Sequence, residues 1–220
     1  MKTKKVLLVF SHPDDESFGP GGTIALWAKQ GYEIHLISAT KGENGNNHTK
    51  KETAKIRSRE LTKAAKILGI KKVTFLRFTD GCICNRELQP LMKIIKRKIQ
   101  SFKPDILLTF NLNGVSGHID HMSVASAVTK VFDDTKIAEK LYYFTESRAL
   151  SDKMKHYFIY FPEGKCREEV DEVVNIEEVY EQKVAAMHAH VSQTNDVRQI
   201  LKLQKNLPKE EFFMVRTLAF

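Results

Sequence analysis

The run Lys5-Val-Leu-Leu-Val-Phe10 carries no polar residue after its first lysine, so neither face of it can be turned to water. A strand of that kind is buried on both sides, the situation of a central strand in a parallel sheet with helices packed above and below. It feeds straight into Ser11-His-Pro-Asp-Asp-Glu16, and Gly19-Pro-Gly-Gly22 follows before the chain turns helical. One imidazole and three carboxylates therefore stand where a buried strand ends, which is where open α/β sheets bind ligands. Like charges crowded there need a positive neutraliser, and a divalent metal is the usual one. The hexapeptide alone would also suit a solvated acidic turn. It is not alone, because His118-Ile-Asp-His121 brings the same chemistry back after a second apolar run, Asp105–Phe110.

The rest of the chain supports the same architecture. A helix is expected over Thr23–Gln30, stopped by Gly31, and a second strand over Tyr32–Ser38, together a right-handed βαβ unit with parallel strands. The second strand ends in the polar loop Thr40-Lys-Gly-Glu-Asn-Gly45, which opens on the same sheet edge as the first. Residues 46–52 read as a mobile polar loop. Apolar spacing predicts an amphipathic helix over Lys55–Leu68, capped by Gly69. A third strand over Lys72–Arg77, a loop over Phe78–Asn85, a helix over Glu87–Phe102 and a fourth strand over Asp105–Phe110 follow. Next come a helix over Met122–Val131, a fifth strand over Leu141–Thr145 and a less regular stretch. Helices over Glu177–His190 and Thr194–Lys205 and a last strand over Phe212–Leu218 complete the pattern. With no repeat or linker, the 220 residues suit one doubly wound α/β domain spanning 1–220.

Composition narrows the function classes. The net charge of +8 is spread along helical stretches such as Lys50–Lys72 and Lys93–Lys103, without interleaved aromatics or a nucleic-acid-binding motif. Nucleic acid is therefore not an expected partner, and a mild preference for anionic substrates is all the charge suggests. No apolar run approaches the roughly 18 residues of a membrane span. The first apolar run is too short for a signal peptide, so a cytoplasmic protein is expected. Cys82, Cys84 and Cys166 match no zinc-ribbon spacing and read as reduced thiols. Gly19–Gly22 lacks the dinucleotide-binding pattern Gly-x-Gly-x-x-Gly and reads as a tight turn.

Two imidazoles and one carboxylate, His12, Asp15 and His121, form a set that leaves an open position, the arrangement of catalytic zinc. Magnesium and calcium prefer all-oxygen shells. Asp14, beside the ligand Asp15 but pointing elsewhere, is placed to accept a proton from the attacking water. His118, three residues before His121, faces the substrate from the other side, to protonate a leaving amine or to stabilise the oxyanion. Asp120 is placed to hold one imidazole in its required tautomer, or to serve only as a helix N-terminal charge. Glu16 is either a support for a ligand or a partner of the backbone.

These residues, Ser11-His-Pro-Asp-Asp-Glu-Ser17 with Gly21-Gly-Thr-Ile-Ala25 and His118-Ile-Asp-His121, resemble the LmbE-like, or PIG-L, family of zinc-dependent N-deacetylases. The resemblance extends to Thr40-x-Gly-Glu-x-Gly45, to Arg59-Glu60-Leu61 with Ala64-Ala65 and Leu68-Gly69, and to Lys183 with His188-Ala-His190-x-Ser192-Gln193. It departs at Ile119, where proline is common, and at Ser116, where some members carry an aromatic residue. The resemblance implies a Rossmann-like three-layer α/β/α sandwich. It implies hydrolysis of the acetamide of an N-acetylglucosamine-type amino sugar or its glycoside. His12, Asp15 and His121 would hold zinc (iron(II) or another divalent ion could take its place), Asp14 would be the general base and His118 the acid or oxyanion partner. Members serve mycothiol and bacillithiol biosynthesis among other pathways, and a glucosaminyl malate would suit the positive charge. Substrate contacts are expected at Arg57, Arg59, Lys183 and within residues 146–175. A non-sugar amide deacylase and a non-catalytic sugar-binding protein are the alternatives on the same fold. A homo-oligomer is compatible with the sequence.

Overall fold

The structure, a computed structural model, describes residues 3–45, 48–155 and 160–218. The apolar run becomes the central strand β1 (Lys5–Phe10), in which every residue from Val6 to Phe10 is at most 2% exposed. A short turn α1 (Asp15–Phe18) and helix α2 (Gly21–Lys29) lead to β2 (Glu33–Ser38). Helix α3 (Lys50–Leu68), β3 (Lys72–Phe75), α4 (Asn85–Phe102) and β4 (Ile106–Phe110) follow. After β4 come the turn α5 (Gly114–Gly117), helix α6 (Ile119–Thr135) and β5 (Lys140–Thr145). The remainder holds α7 (Arg148–Met154), β6 (Glu172–Asn175), α8 (Tyr180–Ala189), α9 (Thr194–Gln204) and β7 (Glu210–Thr217).

The seven strands form one sheet in the order β3-β2-β1-β4-β5-β7-β6. The first five are parallel; β7 joins antiparallel to β5, and β6 antiparallel to β7. Two groups of mutually packed helices, α4 with α6 and α3 with α8 and α2, flank the sheet, giving the three-layer α/β/α sandwich. The chain winds from β1 outward to β3 and then crosses back to β4 on the other side of β1. That reversal leaves a crevice at the carboxyl ends of β1 and β4, the position at which doubly wound sheets bind ligands. It sets the loop after β1 beside the loop after β4, which are the two loops that carry the histidine and aspartate motifs.

Three stretches differ from the sequence expectation. Helix α3 starts at Lys50 rather than at residue 55, because Thr49 and Glu52 form a capping box that satisfies the first free amides. Residues 48 and 49 thus enter a helix cap, while 46 and 47 of the expected mobile loop lie outside the described residues. At its other end Gly69 adopts φ 81°, and a Cβ there would stand 2.6 Å from Ala28, so glycine serves both the cap and the approach of α2. Helix α6 begins three residues early, at Ile119, because His118 caps it. The stretch after β5 is more regular than expected: it contains α7 and the edge strand β6. No helix among the described residues is long and apolar enough to cross a membrane.

Candidate active site

Three loops at the carboxyl edge of the sheet converge on His12. In the loop after β1, Asp15 folds back so that its Oδ2 accepts the amides of Ser11 (3.1 Å) and His12 (2.7 Å). Its Oδ1 lies 3.3 Å from Nε2 of His121. In the loop after β4, His118 is the N-cap of α6, its Nδ1 accepting the amide of Asp120 at 3.1 Å. That cap fixes the first turn, which carries Asp120 and His121. The His121 ring lies flat on Phe110, centroids 4.0 Å apart, and its Nδ1 donates to the carbonyl of Gly114 at 3.0 Å.

The third loop follows β3 and supplies Asp80, which sequence reading did not single out. His12 Nε2 lies 3.0 Å from Asp80 Oδ1 and 3.1 Å from Asp120 Oδ2. Asp120 also accepts the amides of Gly81 (2.8 Å) and Ile83 (2.9 Å), and Asp80 accepts the amide of Asn44 (2.9 Å). Burial alone would raise Asp80, but the hydrogen bond and charge of His12 and the Asn44 amide hold it down at about 2. Asp120 is lowered by the same kind of bonds against its burial. Two ionised carboxylates therefore fix one His12 proton on Nε2, which is how a ligand imidazole is oriented from behind.

The partners of the two rings assign their tautomers. With Nε2 of His12 and Nδ1 of His121 spent as donors, Nδ1 of His12 and Nε2 of His121 present lone pairs to each other at 3.1 Å. Two lone pairs at that distance repel unless a cation or a proton lies between them. Asp15 faces the same point, 3.3 Å from one nitrogen and 3.8 Å from the other. A tetrahedral ion with bonds of about 2.0–2.1 Å has ligand-to-ligand edges of about 3.3 Å. The donor set and its spacing thus fit a zinc-like ion held by His12, Asp15 and His121. His118 also brings a ring nitrogen within 4.8 Å of those of His12 and His121. Its Nδ1, however, is taken by the Asp120 amide, which leaves Nε2–H as a donor. The second group, His12 with Asp80 and Asp120, shares His12 with the first, and both of its carboxylates stand at the His12 Nε2 proton.

Asp14 sits beside this set in a conformation that a non-glycine residue rarely adopts, φ 117°. Arg57 holds it there. The guanidinium reaches Asp14 Oδ2 at 2.8 Å, the Pro13 carbonyl at 2.6 Å and the Gly42 carbonyl at 2.9 Å. Gly42 is needed for this crossing, since a Cβ there would stand 2.3 Å from the guanidinium. Burial raises the Asp14 carboxyl, with Arg57 opposing. His118 is exposed, yet partial desolvation and the neighbouring His12 charge lower it, so its ring is neutral near pH 7.

The expected C-terminal signature lies behind the site and braces it. His190 Nε2 donates to Glu16 at 2.9 Å, and Ser192 bonds Glu60 through both amide (2.8 Å) and hydroxyl (2.6 Å). Lys183 pairs with Glu211 at 2.7 Å and donates to the Gly19 carbonyl, while Glu211 accepts the first amides of α2. Glu16 is therefore a support for the first motif. Of the expected substrate contacts, Arg57 lines the cavity but is committed to Asp14, Arg59 is exposed away from it, and Lys183 is buried in its own ion pair. Residues 146–175 do contribute, through Glu146, Leu150, Met154 and Phe161.

The family described as "PIG-L: GlcNAc-PI de-N-acetylase" matches residues 7–132. The chain belongs to this family. The match takes in His12, Asp14, Asp15, Arg57, Asp80, His118, Asp120 and His121. Among relatives, the "Probable N-acetyl-alpha-D-glucosaminyl L-malate deacetylase 2" of Bacillus cereus is 32% identical over 202 residues, covering 87% of this chain and 84% of that protein. Among solved structures, the N,N'-diacetylchitobiose deacetylase of Pyrococcus horikoshii aligns with TM-score 0.72 at 20% identity, covering 98% of this chain and 85% of that one. GalB of Pseudomonas putida, a 4-carboxy-2-hydroxymuconate hydratase, aligns with TM-score 0.72 at 20% identity, covering 99% and 98%. These two structures share the PIG-L fold seen here and carry different chemistries, so function rests on the site.

Proposed function

We propose that this chain is a zinc-dependent hydrolase that removes the acetyl group from an N-acetylglucosamine-type amino sugar or its glycoside. The observation that carries this reading is the approach of His12 Nδ1 to His121 Nε2 at 3.1 Å, closed by Asp15 and flanked by Asp14 and His118. Zinc bound there would supply Lewis acidity and lower the pKa of a water toward neutrality. Asp14, oriented by Arg57, takes a proton from the attacking water and passes it to the amide nitrogen as the C–N bond breaks. One proton shuttled by one carboxylate balances the reaction, giving a free amine and acetate. His118 stands across the cavity with Nε2–H outward. Its lowered pKa suits a neutral hydrogen-bond donor to the oxyanion better than an acid. Asp120 positions His12 and does not face the substrate, since it is only 1% exposed and its oxygens are taken.

Free-amine release tests the proposal. Zinc-loaded wild type and Asp14→Asn would be compared on N-acetylglucosamine, its malate and inositol glycosides, and N,N'-diacetylchitobiose. Wild type is expected to release amine and acetate in equal amounts. Asp14→Asn is expected to keep its metal and lose about a hundred- to ten-thousandfold in kcat. Metal-loaded wild type that releases no amine from any of them sinks the proposal.

A further inference from the structure

The cavity, about 460 Å³, is lined by the metal-site residues and also by apolar side chains that form the walls of an apolar chamber. These walls are Phe144 at the end of β5, Leu150 and Met154 on α7, Phe161, and Ile200 on α9. Leu150, Met154 and Phe161 form a small apolar cluster with Ile200, separate from the main core, so α7 and α9 pack together as a wall over the crevice. The lining of the cavity does not share the positive charge of the whole chain. Among the described lining residues the one arginine or lysine is Arg57, and its terminal nitrogens are committed to Asp14, Pro13 and Gly42. Glu146 and Asp196 also line the cavity. The net charge of +8 thus lies on the outer surface and is not carried into the cavity.

We infer that the amino sugar deacetylated here carries an apolar, uncharged substituent that is seated in this chamber, and that a dicarboxylate substituent is disfavoured. The inference rests on the deacetylase reading above and adds the substrate class. An apolar group gains by leaving water for a wall of this kind. A malate group would lose its hydration against this apolar wall, with no uncommitted arginine or lysine among the described lining residues to replace it. Burial pushes Glu146 up to about 7, with Lys183 opposing, so its own charge is poorly supported in this wall. The chamber lies outside the region that matches the family, residues 7–132, so the metal-bearing half carries no information about it.

The test is kcat/KM of the zinc-loaded full chain on four substrates: the methyl, octyl and malate glycosides of N-acetylglucosamine, and N-octanoylglucosamine. The octyl glycoside is expected to exceed both the methyl and the malate glycosides at least tenfold. A preference for the N-octanoyl sugar over the octyl glycoside overturns the inference, since the acyl group removed would then fill the chamber. A malate glycoside that equals or exceeds both octyl compounds overturns the inference and leaves the deacetylase reading intact, whereas no turnover of any substrate overturns both. Met154→Gln, close in shape, is expected to lower the ratio of the octyl to the methyl glycoside severalfold. An unchanged ratio overturns the assignment of the chamber.

Discussion

His12 and His190 are both buried, and each gives its Nε2 proton to a carboxylate, His12 to Asp80 and Asp120 and His190 to Glu16. They differ at the other nitrogen. Nδ1 of His12 opens toward the lone pair of His121 and the carboxylate of Asp15, in a cavity. Nδ1 of His190 is fully enclosed and meets no hydrogen-bond partner among the described residues, with Phe18 edge-on to the ring. A buried histidine on a carboxylate is therefore not in itself a site. What faces the second nitrogen decides whether the ring binds a ligand or braces the fold.

The largest expected effect breaks this pair apart. His12→Ala should abolish metal binding and turnover, because it removes one of the three proposed ligands. His190→Gln keeps a donor for Glu16 and should retain one metal per chain, at a cost in stability of about 1–3 kcal/mol from imperfect satisfaction of a buried group. Metal content by elemental analysis, beside urea unfolding, separates the two. A folded His190→Gln protein without metal would show that the second histidine is not merely a brace.

One step smaller is the support behind His12. Asp120→Asn leaves all three proposed ligands in place but weakens the hold on the His12 tautomer, and metal affinity should fall about 10- to 100-fold. Glu16→Gln, the matching change behind His190, should leave affinity nearly unchanged and lower stability instead. Competition with a chromogenic chelator reads the first effect and unfolding the second. Equal losses of affinity in both variants would erase the distinction drawn from geometry.

The same contrast explains what could be read from the sequence. His12 and Asp15 follow directly on the buried strand β1, and His118 and His121 close the loop after the buried strand β4, so their place on the sheet edge was legible from local pattern alone. Asp80 was not, since its strand is only four residues long and half-buried, and Thr79-Asp80-Gly81 looks like an ordinary turn. The available signal was topological: it closes a third parallel strand and opens onto the same edge. Arg57 read as a substrate contact because helix periodicity says nothing of a guanidinium that crosses to the Pro13 and Gly42 carbonyls. Lys183 misled for the same reason, its partner Glu211 lying on a strand 28 positions away. The chamber wall was illegible because α7 is short and α9 is remote in sequence, and only the fold brings Leu150 and Ile200 together.

The smallest effect is a pH dependence in which the two histidines part again. In the metal-free protein, hydrogen bonds to Asp120 and Asp80 hold His12 up at about 10 against its burial, and burial raises Asp15 to about 7 against the His12 charge. Both folded values exceed their ordinary ones, so the folded chain keeps protons that the unfolded chain releases. That stabilisation is complete below the unfolded values and fades as pH rises, through about 7 for Asp15 and toward 10 for His12. Zinc needs both groups deprotonated, so each proton it displaces changes its binding free energy by about 1.4 kcal/mol per pH unit. Between pH 7 and 8 the displaced proton comes mainly from His12; below 7 Asp15 adds a second. His190 is raised by the charge of Glu16 against its burial, and this contribution is present with or without zinc, so it cancels in the difference. Melting temperatures at a fixed zinc concentration should therefore separate from the metal-free curve as pH rises from 6 to 8, most steeply at the lower end. A separation that stays constant with pH would mean that His12 and Asp15 do not give up protons to the metal, and the ligand set would have to be redrawn.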